Sequence, residues 1–269
     1  MANRKMLDRL ADADGFIAAL DQSGGSTPKA LKGYGVEDGA WSNEEEMFDL
    51  IHQMRVRIIT SPSFTGEKVL GAILFERTMD GMAGGKPVPA VLLEKDIVPI
   101  IKVDQGLEVE ANGVQLMKPM PGLDALLERA KSLGVIGTKM RSVIHSANAE
   151  GIAAIVAQQF EIGQRIIEAG MVPILEPEYS IKAEDRAEGE KILREEIEKR
   201  LDAMLPASNR LMLKLSLPVE ANFYSPLIDH PAVTRVVALS GGYSRPEACA
   251  ELAKNKGMVA SFSRALLED

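Results

Sequence analysis

Cysteine is nearly absent from this chain: Cys249 stands alone in 269 residues. No internal disulfide can form, and such usage fits a reducing compartment. The pattern around Cys249 predicts a helix, in which the thiol is expected to serve as a small core residue. Histidine is scarce too. His52, His145 and His230 are all there are, and they lack the close ligand spacing of a zinc site. They are expected at the surface or behind a site, and no metal is expected. Positive charge is in deficit, with 31 Lys and Arg against 39 Asp and Glu for a net charge of −8. That balance argues against general binding to nucleic acid or anionic membrane. No uninterrupted apolar stretch approaches a bilayer span. Residues 1–20 carry Arg4, Lys5, Asp8, Arg9, Asp12 and Asp14, unlike a secretory signal. A cytoplasmic protein with no membrane partner is expected.

What is present is an ordinary globular composition, 46% hydrophobic and 26% charged. A single domain over 1–269 is expected, since no repeat, low-complexity tract or linker divides the chain. Alternating patterns predict strands over Phe16–Gln22, Val69–Phe75, Val98–Asp104, Val135–Arg141, Met171–Glu178, Arg210–Leu217, Thr234–Ser240 and Gly257–Phe262. Helical spacing falls between most of them, as in Asp124–Ser132, Ala149–Ala169, Glu184–Leu205 and Arg245–Asn255. Ser244-Arg-Pro-Glu247 reads as a capping box opening the last of these. Gly81–Pro89 reads as a loop. Eight strand units separated by helices predict an α/β fold, a parallel (β/α)8 TIM barrel. An open doubly wound sheet is the rival, but no strand leads into a G-x-G-x-x-G turn. The sequence ends at Asp269, leaving little length for a helix after strand eight, so the final helix and a C-terminal tail are expected to be lacking.

Lys214 lies inside the apolar run Leu211–Pro218. Side chains alternate along a strand, so Leu211, Leu213, Leu215 and Leu217 share the helix-facing side, and Lys214 points to the interior with Met212 and Ser216. Burial disfavours a charged amine, which is how a lysine becomes a nucleophile toward a carbonyl. Other strands place ionisable groups on the same interior side: Asp21; Lys102 with Asp104; Lys139 with Arg141; Glu176 with Glu178. In a barrel these converge near the C-terminal mouth. A lysine that forms a Schiff base needs an acid to remove water from the carbinolamine, and Glu176 or Glu178 can supply it. Lys139 and Arg141 would oppose a second positive charge at Lys214 and stabilise developing negative charge. Asp21 offers a carboxylate to a substrate hydroxyl. At the seventh and eighth strand ends, Ser240-Gly241-Gly242 and Arg264 suit a phosphate, through close backbone amides, a hydroxyl and a forked cation.

These segments, Ala19–Ser26, Gly71–Glu76, Ile101–Asp104, Lys139–Arg141, Val172–Glu178, Leu213-Lys214, Leu239–Gly242 and Ser263–Leu266, run in one order from residue 16 to 266. Together they resemble the class I fructose-bisphosphate aldolases, particularly the shorter bacterial type. The resemblance implies reversible cleavage of fructose 1,6-bisphosphate to dihydroxyacetone phosphate and glyceraldehyde 3-phosphate, in glycolysis and gluconeogenesis, with no cofactor. It implies Lys214 as the Schiff-base lysine, Glu176 as the proton shuttle, and Glu178 as its orienting neighbour. It further implies that Lys139 assists carbinolamine chemistry and that Asp21 acts in carbon–carbon cleavage. By the same resemblance Ser240, Gly241 and Arg264 are expected to bind the ketone-side phosphate, and Ser23, Ser26, Lys102 and Arg141 to line the substrate site. The chain departs from the animal branch in three places. Ala30 follows Lys29 where that branch has a second basic residue, Ser263 stands where it has glycine, and its long tail has no counterpart. A homo-oligomer is compatible with the sequence. Related phosphosugars, tagatose bisphosphate or fructose 1-phosphate, are candidate substrates as well. The rival readings are a zinc-dependent aldolase, poorly served by three scattered histidines, and a non-catalytic phosphosugar-binding or interaction protein on the same barrel.

Overall fold

A strand covered on both faces can be apolar throughout, and that is how this chain builds its parallel sheet. The computed structural model describes residues 2–37, 39–204 and 211–263. Eight parallel strands follow one another along the chain: β1 (Phe16–Leu20), β2 (Val69–Leu74), β3 (Val98–Lys102), β4 (Gly137–Ile144), β5 (Val172–Tyr179), β6 (Leu211–Ser216), β7 (Val233–Leu239) and β8 (Val259–Ala260). All six residues of β2 and all six of β6 are buried. Helices alternate with the strands, as a parallel sheet requires of its crossovers. No helix among the described residues is long and apolar enough to cross a membrane.

The chain divides into two units. The first takes in residues up to Lys102, together with Arg129–Ile136 and the stretch from Phe262. In it β2 pairs with β1 (Leu20 opposite Leu74) and with β3 (Gly71 opposite Val98). A Cβ at Gly71 would stand 3.0 Å from the Ile100 side chain, so glycine permits that close approach. Helix α1 (Glu44–Thr60) covers this unit. Asn43 caps it by accepting from the Glu46 amide, and three acids in its first turn suit the positive end of the helix dipole. Met47, Phe48, Ile51, Met54, Arg55 and Ile59 form its buried face. At its far end the Lys95 ammonium donates to the carbonyls of Ile59, Ser61 and Phe64 at 2.6, 2.8 and 3.1 Å.

The second unit, Val103–Glu128 and Gly137–Ser261, holds β4 to β8 in sequential parallel order. Arg141 stands opposite Glu176, Ile174 opposite Met212, and Lys214 opposite Val237. Helices α2 (Ala149–Glu168) and α3 (Arg186–Ala203) pack here, α2 against β4 and β5. Helix α4 (Arg245–Leu252) opens with the expected capping box between Ser244 and Glu247.

The structure corrects several details. Cys249 is exposed; Ala248, one step round α4, takes the buried position instead. The strands β1 and β3 stop before Asp21 and Asp104, so these carboxylates leave from the turns just past the strands. β4 starts two residues later than expected and continues to Ile144. Gly81–Pro89 is not simply a loop: Met82–Ala83 pairs antiparallel with Lys86–Pro87, and a helix begins at Val88. Arg210 lies outside the described residues.

Candidate active site

Three buried ionisable side chains meet in the second unit. Glu176 on β5 places Oε1 2.9 Å from the Lys214 Nζ of β6 and Oε2 2.9 Å from the Lys139 Nζ of β4. Lys139, Glu176 and Lys214 are 3, 3 and 4% exposed, so the trio is withdrawn from bulk water. The sequence alternation accounts for this meeting. Lys214 leaves the face opposite its flanking leucines, and the parallel register brings it level with Glu176 on the neighbouring strand.

The backbone beneath the acid is held from outside the sheet. The Gln159 side chain of α2, 1% exposed, accepts from the Glu176 amide at 3.1 Å and donates to the Ser142 hydroxyl at 2.7 Å. Gln159 was not singled out from sequence. Its signal was there: one amide on the helix face otherwise formed by Ile152, Ile155, Val156, Gly163 and Ile166.

A second ionic group lies two residues further along the strands. Arg141 pairs with Glu178, and the Arg141 amide donates to Asp104 at 3.2 Å. Burial opposes the charged guanidinium, but Glu178, Glu176 and Asp104 together outweigh it and hold Arg141 above its ordinary value. Arg141 is the more open partner, its side chain 41% exposed against 18% for Glu178. Arg141 thus keeps part of its surface open while its acid is largely covered.

At the end of β7, Ser240 is buried and its carbonyl accepts from the Tyr243 amide at 2.9 Å. The turn requires glycine. Gly241 and Gly242 have φ of +60° and +123°, and a Cβ on Gly241 would stand 2.6 Å from the Ile181 methyl.

The remaining expected residues lie in the first unit. Asp21 and Gln22 are buried just beyond β1, Ser23 is half-buried, and Lys102 is half-buried at the end of β3. Ser26 ends a short 3-10 turn. Arg264 lies outside the described residues. Ser263 accepts from the Gln22 side chain at 2.7 Å. The feature of this unit unseen from sequence is Arg55, fully buried on α1. It donates to the Gln22 backbone carbonyl and, at 2.9 Å, to the Thr78 hydroxyl. Burial draws its guanidinium down to about 10, and the charge of Asp21 acts against that. None of the histidines joins these groups within its own unit. His145 pairs with Gln115 and His230 with Asp202, while the His52 ring packs against Gly81.

Over residues 5–205 the sequence matches the family model described as fructose-bisphosphate aldolase class-I. A fructose-bisphosphate aldolase from Plasmodium falciparum, solved in complex with TRAP and a small molecule inhibitor, is similar at a TM-score of 0.75 and 20% identity, over 98% of this chain and 84% of that one. A protein from Corynebacterium glutamicum is similar at a TM-score of 0.53 and 14% identity, over 99% and 85%. At such identities the two structures bear on the fold alone, which is the parallel (β/α)8 barrel. The family match takes in well over half of the sequence, and on that ground the chain belongs to the class I fructose-bisphosphate aldolases.

Proposed function

We propose that this aldolase cleaves fructose 1,6-bisphosphate reversibly through a Schiff base on Lys214. The observation that carries the reading is the single carboxylate of Glu176 shared by two buried amines. One carboxylate neutralises one ammonium, so the form of the trio with no net charge has one amine uncharged, and an uncharged amine is a nucleophile. The Lys214 nitrogen adds to the C2 carbonyl of the open-chain sugar to give a carbinolamine. Glu176, in contact with the attacking amine, carries the amine's proton to the carbinolamine oxygen and then a second proton, drawn from the adjacent Lys139 ammonium, to the departing hydroxyl, so that water leaves and an iminium remains. A carboxylate then takes the proton of the C4 hydroxyl, a role the family resemblance gives to Asp21. The C3–C4 bond breaks, its electron pair enters the iminium as an enamine, and glyceraldehyde 3-phosphate departs. Protonation at C3 and hydrolysis release dihydroxyacetone phosphate and restore the lysine. No metal is needed, because the iminium is the electron sink.

In this reading Lys139 balances the charge of Glu176 while the proton moves, and Glu178 holds Arg141 toward the substrate. Ser240, Gly241, Gly242 and Arg264 take the ketone-side phosphate; Ser23, Ser26 and Lys102 line the rest of the site. The reaction serves glycolysis and, reversed, gluconeogenesis. A non-catalytic sugar-phosphate binder is the alternative, and the trio counts against it: burying two lysines beside one acid is costly, and binding alone does not require it. Borohydride reduction in the presence of dihydroxyacetone phosphate tests the proposal. A stable mass addition on Lys214 is expected; no adduct on folded protein supports the binder. Turnover of tagatose bisphosphate and fructose 1-phosphate beside fructose 1,6-bisphosphate defines the preferred sugar. Chelators should leave the rate unchanged, and inhibition reversed by zinc would contradict the imine route.

A further inference from the structure

A second buried ion pair lies in the same unit, and none of the steps above uses it. Arg186, the first residue of α3, donates to Glu190 at 2.7 Å, and the two side chains are only 7 and 2% exposed. The guanidinium also donates to the Leu217 carbonyl, just past β6, and lies 3.4 Å from the Tyr243 hydroxyl. Glu190 accepts from the Val219 amide at 2.9 Å. The pair therefore touches the chain leaving the Lys214 strand and the chain leaving the Ser240-Gly241-Gly242 turn.

The segment that delivers Arg186 is fixed at its other end. Ser216 both accepts from the Tyr179 amide, at 3.0 Å, and donates to the Tyr179 carbonyl, at 2.7 Å. Gly189 lets the Tyr179 ring lie against α3, since a Cβ there would fall 1.9 Å from the Tyr179 hydroxyl. Between these fixed points Ile181 sets its methyl group against Gly241. The glycine turn is thus pressed by Ile181 on one side and followed at once by Tyr243, which Arg186 meets on the other. Burying two opposite charges is weak support for stability. A guanidinium that ties its own helix to two other segments is better suited to holding their mutual spacing.

We infer that Arg186 and Glu190 are positioning residues for the Ser240–Gly242 turn, setting it at the spacing from the Lys214 strand that a ketone bearing a phosphate requires. The inference rests on the proposed reading, in which that turn holds the ketone-side phosphate. The pair acts through the turn and touches neither the reacting carbon nor the amine. Its loss therefore removes the advantage of a phosphorylated ketone over an unphosphorylated one and spares the nucleophile.

The test compares borohydride trapping at Lys214 by dihydroxyacetone phosphate and by dihydroxyacetone in the intact chain, in Arg186→Lys and in Glu190→Gln. Lysine keeps the charge but cannot span three acceptors; glutamine keeps the shape and removes the negative partner. Thermal melts identify folded protein, and Glu190→Gln, being isosteric, stands in if Arg186→Lys does not fold. The expected result is a preference for the phosphorylated ketone that shrinks by roughly tenfold to a hundredfold, with trapping by dihydroxyacetone unchanged within about twofold. Equal loss for both ketones in a folded variant overturns the inference, as does an unchanged preference. An unmodified chain that traps neither ketone sinks the aldolase reading, and this inference with it.

Discussion

Lys139 reaches Glu176 diagonally. Its register partner on β5 is Ile174, while Glu176 stands opposite Arg141. Arg141 repeats the step, passing over Glu176 to pair with Glu178. Each cation on β4 thus serves the acid one interior position further along β5, within the reach of long side chains across neighbouring strands. The diagonal leaves Glu176 free to meet Lys214 from the other flank.

Replacing the proposed nucleophile is the sharpest check. Lys214→Met is expected to abolish fructose 1,6-bisphosphate cleavage and borohydride trapping while leaving the fold intact, because the thioether fills a similar volume without a charge. Cleavage assays beside far-UV circular dichroism decide it, and retained turnover would assign the chemistry elsewhere.

Glu176→Gln should cost more than activity. It removes the acid that pairs with both buried lysines, and breaking a buried pair in this way typically costs about 3–5 kcal/mol. Glu178→Gln should cost under about 1 kcal/mol, because its partner Arg141 is substantially exposed. Urea midpoints for the two variants measure the contrast; equal losses would mean the trio is not the buried charge centre of its unit.

Arg55→Met is expected to destabilise the first unit by roughly 2–4 kcal/mol, since the Gln22 carbonyl and Thr78 hydroxyl lose a buried charged donor. Thr78→Val removes one of those bonds with little change of shape and should cost about 1 kcal/mol. Chemical denaturation of both variants checks the order.

The capping box of α4 gives an acid-range prediction. Bonds from the Ser244 hydroxyl and amide hold the Glu247 carboxyl below its ordinary value of 4.5. The folded chain then binds fewer protons than the unfolded chain between the two values. The contribution is present above the unfolded value and is lost as the pH falls through the folded one. Glu247→Gln should lower the melting temperature near neutral pH and converge on the parent chain in acid. Parallel melting curves at any pH would exclude the effect.

Strands and their interior faces were readable because a lysine among leucines has few reasons to exist, and because alternation assigns its side without further information. Each strand was placed to within about three residues, and the meeting of Lys139, Glu176 and Lys214 follows from face and register together. Arg55 and Gln159 were not anticipated, since each sits on a helix whose period marks only a buried face and not what a polar side chain finds there. Cys249 misled for a related reason: helical spacing around a short sequence allows either neighbour inward, and Ala248 takes the place. The Arg186–Glu190 pair has the i, i+4 spacing of an ordinary surface pair, and only the chain leaving β6 and the Tyr243 hydroxyl reveal its burial.

The two hydrogen bonds of Gln159 have an evolutionary corollary. Aliphatic neighbours such as Ile152 and Ile166 can drift among themselves, because any comparable hydrocarbon fills their space. Position 159 lacks that freedom, for a leucine there would match the volume yet strand an amide and a hydroxyl in a dry layer. Under the proposed mechanism, selection at the carboxylate extends through the sheet to the outer helix, where a mutational survey should find one intolerant residue in a permissive stripe.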